Sequence, residues 1–457
     1  MREAVLSLVL VSCLALSLAN RVYVHPFGLF ALGNISCEVI QSNEPEQVEV
    51  VKATPIGLQD NTAPDLRDLS NSNGMENSTQ RKDVLAELQN ILGLRMYKVL
   101  TNSQKDSNTL YSPVNVFGTL VTLYLGASKK TAVPYQQLLG IYKETETENC
   151  VYLIDGHMVL RTLQEINALI DGPRDELRTL VWSFITEDGE ISKDFVRGAQ
   201  DFSDASYTRS VDFTKPEDAE KEVNSFIQKT SDGDIKEIFQ NLSSTTNFLF
   251  ASSVHFKGNW RTAFQPEATS MQDFKVDEET TVSVPLMTHT GEYKYLNDKG
   301  RKCTVVKLGL SMRTYMLLVL PYEGASLQDI ESQLQTEVLS KWYQHLKEGY
   351  LELSLPKFSL TGLTDLKSLL TDMNVEEYLL GSKAQFQRLS NKEKFTVDKV
   401  FSKVVFEMSE EGSQVSNKTE DGRVPLKLTV NRPFLFAIVE GNSNAILMLG
   451  KIINPAV

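Results

Sequence analysis

Histidine and cysteine are scarce in this chain of 457 residues, and the scarcity removes several chemistries at the outset. The five histidines, His25, His157, His255, His289 and His345, stand in no zinc-protease spacing, and there is neither a Gly-x-Ser-x-Gly turn nor a phosphate-binding loop. The chain therefore offers no catalytic constellation, no metal set and no cofactor motif, and an enzyme is not expected. His255 falls inside an apolar, strand-like run, where a hydrogen-bonded structural histidine is the ordinary case. Aromatic residues are missing altogether from Ala31 to Met96, and Glu38 to Gln80 is rich in Asn, Ser, Gln, Pro and acids. Such a composition buries little core and predicts a tether or a loosely packed tail. Positive charge is also in deficit: the formal net charge is -13, which disfavours nucleic acid and anionic lipid as general partners. Beyond the N-terminus no uninterrupted apolar run approaches the length of a membrane span, so no membrane anchor is expected.

What is present begins at the N-terminus. Arg2 precedes an apolar run from Ala4 to Leu16, too short to span a bilayer, that ends in Ser17-Leu18-Ala19. The pattern predicts a signal peptide over residues 1–19 with cleavage after Ala19, hence a secreted, extracellular product; a buried N-terminal helix fits it less well. Removal of that segment leaves Cys37, Cys150 and Cys303, an odd number in an oxidising compartment, so one disulfide and one spare thiol is the simplest arrangement. Three pairings are open at this point. Asn34, Asn77, Asn241 and Asn417 each begin an Asn-x-Ser/Thr sequon and are candidate glycosylation sites.

Further along, Asp83 reads as an N-cap, with Leu85, Leu88, Leu92, Met96 and Val99 at helical spacing behind it. This spacing places a tail over residues 30–82 and a folded body over 83–457. Ser112-Pro113, a cap followed by a first-turn proline, announces a second helix carrying Val116, Phe117, Leu120, Val121 and Tyr124, with Gly126 as its stop. Asn247 to Phe256, Tyr315 to Leu320, Leu351 to Leu355, Val397 to Met408 and Leu426 to Val439 read as strands, rich in branched and aromatic residues. Their scatter between helical stretches predicts one large α+β domain rather than repeated βαβ units.

Several of these segments resemble the serpin family, in the family's order. They are Ser112-Pro-Val-Asn-Val-Phe-Gly-Thr-Leu, Phe248-Leu-Phe-Ala-Ser-Ser-Val-His-Phe-Lys-Gly-Asn-Trp, Leu353-Ser-Leu-Pro-Lys-Phe, Glu410-Glu-Gly, and Asn431-Arg-Pro-Phe-Leu-Phe with Gly450-Lys-Ile-Ile-Asn-Pro. The resemblance implies the serpin fold: a large central mixed sheet, smaller additional sheets and surrounding helices. Independently, Asn20-Arg-Val-Tyr-Val-His-Pro-Phe-Gly-Leu-Phe resembles the angiotensin segment of the angiotensinogen family of hormone precursors, placed directly after the expected signal cleavage. That resemblance implies a releasable decapeptide over residues 20–29, cut by the aspartic protease renin between Leu29 and Phe30. Converting enzyme then cuts between Phe27 and Gly28, leaving the octapeptide Asn20, Arg21, Val22, Tyr23, Val24, His25, Pro26 and Phe27. It further implies a G-protein-coupled receptor as the peptide's target and a role in blood pressure and salt and water balance. Gly28 departs from the histidine many members carry there, which bears on renin's species preference. By the same resemblance Cys37 pairs with a cysteine of the body, Cys150 being the better placed, while Cys303 in its apolar run stays a buried, inert thiol. Such a bridge would tether the cleavage site to the body.

The residues suit that chemistry. An aspartic protease binds its substrate as an added extended strand, so a mobile segment with apolar groups at the cut is expected, and Leu29 and Phe30 supply them. Pro26 fixes its own φ and pushes His25 toward extended backbone, while Gly28 and Gly33 loosen the chain. The alternation of Val22, Val24 and Phe27 fits an ordinary edge strand equally well. In the released peptide Arg21 supplies a cation, Tyr23 and His25 hydrogen-bonding rings, and Phe27 a new carboxylate beside an aromatic anchor.

The alternative reading is a serine protease inhibitor. Inhibitory serpins insert a cleaved reactive loop into the central sheet, which requires a hinge of small residues after Glu-Glu-Gly. Here the hinge reads Ser413-Gln-Val-Ser-Asn-Lys-Thr-Glu-Asp-Gly. In a strand, Ser413, Val415, Asn417 and Thr419 would share a face, and a glycan on Asn417 cannot be buried in a sheet interior. The stretch from Glu410 to Asn431 is also shorter than in inhibitory members, placing the bait position near Leu426, inside a strand pattern. Arg423-Val424 is the one trypsin-like bond of the loop. These features predict a non-inhibitory body.

Overall fold

The structure is a computed structural model that describes residues 25–33, 38–39, 47–57, 62–66, 78–144, 151–168, 176–310, 313–414 and 423–457. In chain order, α1 (Pro26–Phe30), β1 (Val50–Lys52) and β2 (Thr54–Pro55) precede a long helix α2 (Ser78–Ser103). Then come β3 (Thr109–Tyr111), α3 (Pro113–Gly126), α4 (Lys129–Leu139), α5 (Gly156–Ala168), β4 (Glu176–Thr186), β5 (Glu190–Ser192), α6 (Lys193–Phe202), β6 (Ala205–Val211) and α7 (Pro216–Thr230). The second half runs β7 (Phe248–Thr262), β8 (Ser270–Lys275), β9 (Thr281–Asp298), β10 (Cys303–Gly309), β11 (Thr314–Pro321), α8 (Leu327–Ser332), α9 (Thr336–His345), β12 (Lys347–Pro356) and β13 (Ser359–Asp365). It closes with α10 (Leu366–Asp372), α11 (Glu376–Leu379), β14 (Lys399–Gln414), β15 (Leu426–Thr429), β16 (Phe434–Glu440) and β17 (Ile446–Ile452).

The strands form a six-stranded sheet in the order β13-β14-β7-β4-β6-β2 and a nine-stranded sheet in the order β15-β12-β9-β10-β11-β16-β17-β3, with β8 on β9. The first is mixed: β7 lies parallel to β14 but antiparallel to β4, and β4 is parallel to β6. This is the central mixed sheet of an α+β fold, as the sequence predicts. A strand at the centre of such a sheet is covered on both faces, which explains the unbroken burial from Phe248 to Val254.

Helix α3 shows how the sheet is held. Every residue of it is buried, so its polar side chains must find partners inside. The Asn115 amide donates to Ser402 Oγ of β14 at 2.7 Å, and Thr119 Oγ1 and Ser252 Oγ of β7 share a hydrogen bond at 2.7 Å. The helix starts as predicted, with Ser112 Oγ accepting from the Asn115 amide and Pro113 in the first turn. Gly118 permits its close approach to α6, since a Cβ there would sit 2.1 Å from the Phe202 ring.

Three boundaries differ from expectation. Asp83 is not a cap: α2 already begins at Ser78, and Asp83 lies within it. The run Leu426 to Val439 is two strands in one sheet, because Asn431-Arg-Pro interrupts it and proline cannot donate to a ladder. The tail over residues 30–82 is also not merely loose. Within it β1 pairs with β5, β2 adds to the edge of the central sheet on β6, and Asp65 is locked to Arg209 at 2.5 Å while accepting from the Thr208 amide at 2.7 Å. Backbone hydrogen bonds and one buried ion pair achieve this without aromatic residues, which is why composition did not reveal it.

Candidate functional site

The site singled out by sequence is the N-terminal segment, described from His25 onward. His25 is extended, at φ -61° and ψ 136°, as the following proline requires. From there the chain does not stay extended. Pro26 occupies the first turn of α1, His25 Nδ1 accepts from the Phe27 amide at 3.2 Å, and the Gly28 amide donates to the His25 carbonyl at 2.8 Å. A proline in the first turn and a capping side chain before it favour a helical turn, and this local preference overrides the extended reading.

The turn places the two apolar residues inward. Leu29 is 6% exposed and Phe30 fully buried, both within the main core, whereas Gly28 is exposed and Phe27 half-buried with the Lys143 ammonium over its ring at 5.8 Å. The body grips the backbone on both sides of the Leu29–Phe30 bond. Arg81 Nε of α2 donates to the Leu29 carbonyl at 3.1 Å, and the Asp155 amide donates to the Phe30 carbonyl at 2.7 Å. Next, the Leu32 amide donates to the Leu153 carbonyl at 2.6 Å, and Ala31 forms an antiparallel bridge with Ile154. The Ile154 carbonyl is itself fixed by the Tyr124 hydroxyl at 3.2 Å, so the bracket is anchored to α3. An aspartic protease must draw several residues into an extended strand, and here the bond's own carbonyl is already occupied. The expected mobile, extended segment is thus a docked helical turn, and any cleavage at Leu29–Phe30 by a protease that binds an extended strand would require it to undock.

The remaining sequence-derived sites divide sharply. Residues 1–24, including the signal peptide and Asn20 to Val24, lie outside the described residues. So do Cys37 and Cys150, Asn34, Asn77 and Asn417. Asn241 is exposed on a left-handed turn at φ 54°, a conformation Asn adopts readily and a setting open to a glycan. Cys303 is free and fully buried, and burial, more than the neighbouring Asp298 carboxylate, pushes its thiol up to about 12. His255 bonds Asp234 at 2.7 Å, the structural role expected of it.

Strand β14 continues past Glu410 to Gln414 and remains paired with β7, Gly412 opposite Trp260 and Gln414 opposite Thr262 in the register. Residues 415–422 lie outside the description. Where it resumes, Arg423 Nη1 binds Glu292 Oε1 at 2.6 Å and its guanidinium stacks over Tyr350, while Val424 is 91% exposed. Among the described residues no group of three or more His, Cys, Asp or Glu could hold a metal ion, and no helix is long and apolar enough to cross a membrane.

One arrangement escaped the sequence reading. His157 of α5 is buried between two carboxylates of α6, with Nδ1 2.8 Å from Asp201 and Nε2 3.1 Å from Asp194. Its only sequence signal is a histidine near the start of an amphipathic helix.

The model of the serpin (serine protease inhibitor) family matches residues 87–455, and the chain belongs to this family. An alpha-1-antitrypsin homolog of Cyprinus carpio is 34% identical over 59% of this chain and 73% of its own length. The crystal structure of mouse protein Z-dependent protease inhibitor superposes with a TM-score of 0.73 at 24% identity, covering 84% of this chain and all of that one, a likeness of fold. Within the family the similarity is more particular: angiotensinogen of Bos taurus is 29% identical over 98% of this chain and 97% of its own length. That match takes in the N-terminal segment, which lies outside the family model.

Proposed function

We propose that this protein is a secreted precursor of an angiotensin-type peptide, cleaved by renin between Leu29 and Phe30 and then by converting enzyme between Phe27 and Gly28. The observation that carries the reading is the pairing of the Asn20 to Phe30 sequence with similarity to angiotensinogens over nearly the whole chain. The octapeptide ending at Phe27 would then act on a G-protein-coupled receptor to regulate blood pressure and salt and water balance. Loss of Gly28-Leu29 exposes the Phe27 ring and places a carboxylate beside it, a physical reason for two successive cuts. The docked turn supports a precursor whose scissile bond is withheld until the segment opens.

The body is read as non-inhibitory. A loop that inserts must enter between β7 and β14, which are paired along their length here, and it would carry Asn417 into the sheet interior. The competing reading, a serine protease inhibitor, draws on the family itself and on the exposed Arg423-Val424 bond. Incubation of the secreted protein with renin, followed by mass spectrometry, tests the proposal: a decapeptide ending at Leu29 is expected, and an intact N-terminus would refute it. A stable, SDS-resistant adduct with trypsin would refute the non-inhibitory reading.

A further inference from the structure

The start of α5 is at once a wall of the docked segment and one face of an ionic cluster. Leu153, Ile154 and Asp155, which bracket Phe30, Ala31 and Leu32, run directly into α5, whose second residue is His157. His157 and Asp201 are 7% and 5% exposed, while the Asp194 side chain is half-exposed. The imidazole has an acid at each nitrogen, Asp201 2.8 Å from Nδ1 and Asp194 3.1 Å from Nε2. A neutral ring has one N–H and one lone pair, so it can donate to only one of two carboxylates and turns its lone pair on the other. The imidazolium donates to both. The geometry therefore fits the charged ring, and although burial opposes the charge, the bonds to Asp194 and Asp201 outweigh it and hold the proton above the ordinary histidine range.

Two arginines carry this cluster to the bracket. Arg161, one turn further along α5, sits 3.5 Å from Asp201 and 3.9 Å from Asp155, whose Oδ1 caps the helix by accepting from the Met158 amide at 3.0 Å. Arg388, between α11 and β14, lies 3.8 Å from Asp194 and rests its guanidinium over the Tyr152 ring at 4.2 Å. Arg197 adds a contact to Asp194 within α6 at 3.2 Å. Among the described residues the charged groups around the ring are thus Asp194, Asp201 and Arg197 from α6, Asp155 and Arg161 from α5, and Arg388 from the α11–β14 connection. Loss of the ring's proton leaves a lone pair against a carboxylate in a buried setting, and the ring or the acid must move. Either movement pulls on Arg161 or Arg388, and so on the residues that hold the segment.

We propose that His157 is a positioning residue for the docked segment: its paired carboxylates hold the Leu153–Asp155 bracket in the shape that receives Phe30 to Leu32, and deprotonation loosens that grip and frees the Leu29–Phe30 bond. Because the docked state holds this proton more tightly than the open one, opening rises with pH. His25 acts with the opposite sign, since its Nδ1 accepts from the Phe27 amide and protonation removes that acceptor, loosening the turn as pH falls. The inference extends the reading of a withheld bond, yet it concerns docking itself and can be measured without a protease.

Hydrogen exchange of the full-length protein tests it, followed at the Leu32 and Asp155 amides, the two donors of the bracket, and corrected for the intrinsic pH dependence of exchange. Protection at both should fall about fivefold or more as pH rises through the histidine's range in the wild type. His157→Gln should be weakly protected at every pH, with no such fall. Asp194→Asn, at a half-exposed position where folding is less at stake, should move the midpoint of the fall to lower pH. The kcat/KM for decapeptide release by renin, divided at each pH by that of a free peptide of residues 20–33, should rise in step with the loss of protection. Protection that ignores pH in the wild type, an equal pH response in His157→Gln, or an unmoved midpoint in Asp194→Asn would overturn the proposal. A His157-dependent fall in protection without any decapeptide would support it and count instead against the precursor reading.

Discussion

The sharpest consequence of the docked turn is that residues outside the peptide should control its cleavage. Arg81 is the clearest case, because its Nε donates to the Leu29 carbonyl at 3.1 Å, the carbonyl of the bond proposed to be cut. Arg81→Met keeps the aliphatic stem and removes the donor. A hydrogen bond involving a charged group contributes about 1.5–3 kcal/mol, and the partial exposure of Arg81 places it at the lower end. About 1.4 kcal/mol corresponds to a factor of ten in an equilibrium, so the open population of the segment should rise about tenfold. If opening and closing are fast relative to cleavage, kcat/KM for the Leu29–Phe30 bond rises by the same factor. Global stability should fall by no more than about the same 1.4 kcal/mol, partly offset because Arg81 sits in the first turn of α2, where loss of a cation favours the helix by a few tenths of a kcal/mol or somewhat more. The assay is release of the decapeptide by renin from wild type and variant, with a synthetic peptide of residues 20–33 as the reference for an already open substrate. An unchanged rate in Arg81→Met, with hydrogen exchange at the Leu32 amide showing that the segment has loosened, would refute the idea that undocking governs cleavage.

Other groups give independent checks. Burial pulls the His157 pKa down, but its hydrogen bonds to Asp194 and Asp201 outweigh that and leave it raised above 6.5. Its contribution is therefore full below that value and lost as pH rises through the raised pKa, so the gap in urea midpoint between wild type and His157→Gln should be widest in mild acid and close toward alkaline pH. Asp194, held down at about 2, stays ionised throughout that window. A gap that widens with pH would contradict the pairing. Cys303 should resist iodoacetamide at pH 8 in the native protein and react only after unfolding, as read from the mass of its peptide. Asn241→Gln should remove the mass of one N-linked glycan from the secreted protein, and identical electrophoretic mobility would show the site to be unused.

The parts of the fold legible in sequence are those written in local patterns. The capped start of α3, the buried run of β7 and the strands β11, β12 and β14 were readable because burial and capping impose residue types at fixed spacing. The parts that were not legible depend on partners far along the chain. Asp65 looks like any tail acid until Arg209 is beside it, and β2 has too few residues to show a period. Residues 26–30 are the instructive failure. Two apolar residues after a Pro-x-Gly stretch read as a flexible strand, and only the receiving surface of α2, α5 and the Leu153–Asp155 bracket converts them into an anchored turn.

That failure bears on how a cleavable peptide is protected. The side chains an aspartic protease would seek in its pockets, Leu29 and Phe30, are the same ones the body buries, so one pair of residues sets both recognition and concealment. Making them more apolar would strengthen both at once, leaving the net rate nearly flat. Change in rate must come instead from the surface that receives them, where Arg81 and the Leu153–Asp155 bracket alter docking without altering the substrate. On the proposed reading, the peptide's sequence would fix what is released, and the body's grip would fix how often the bond is offered.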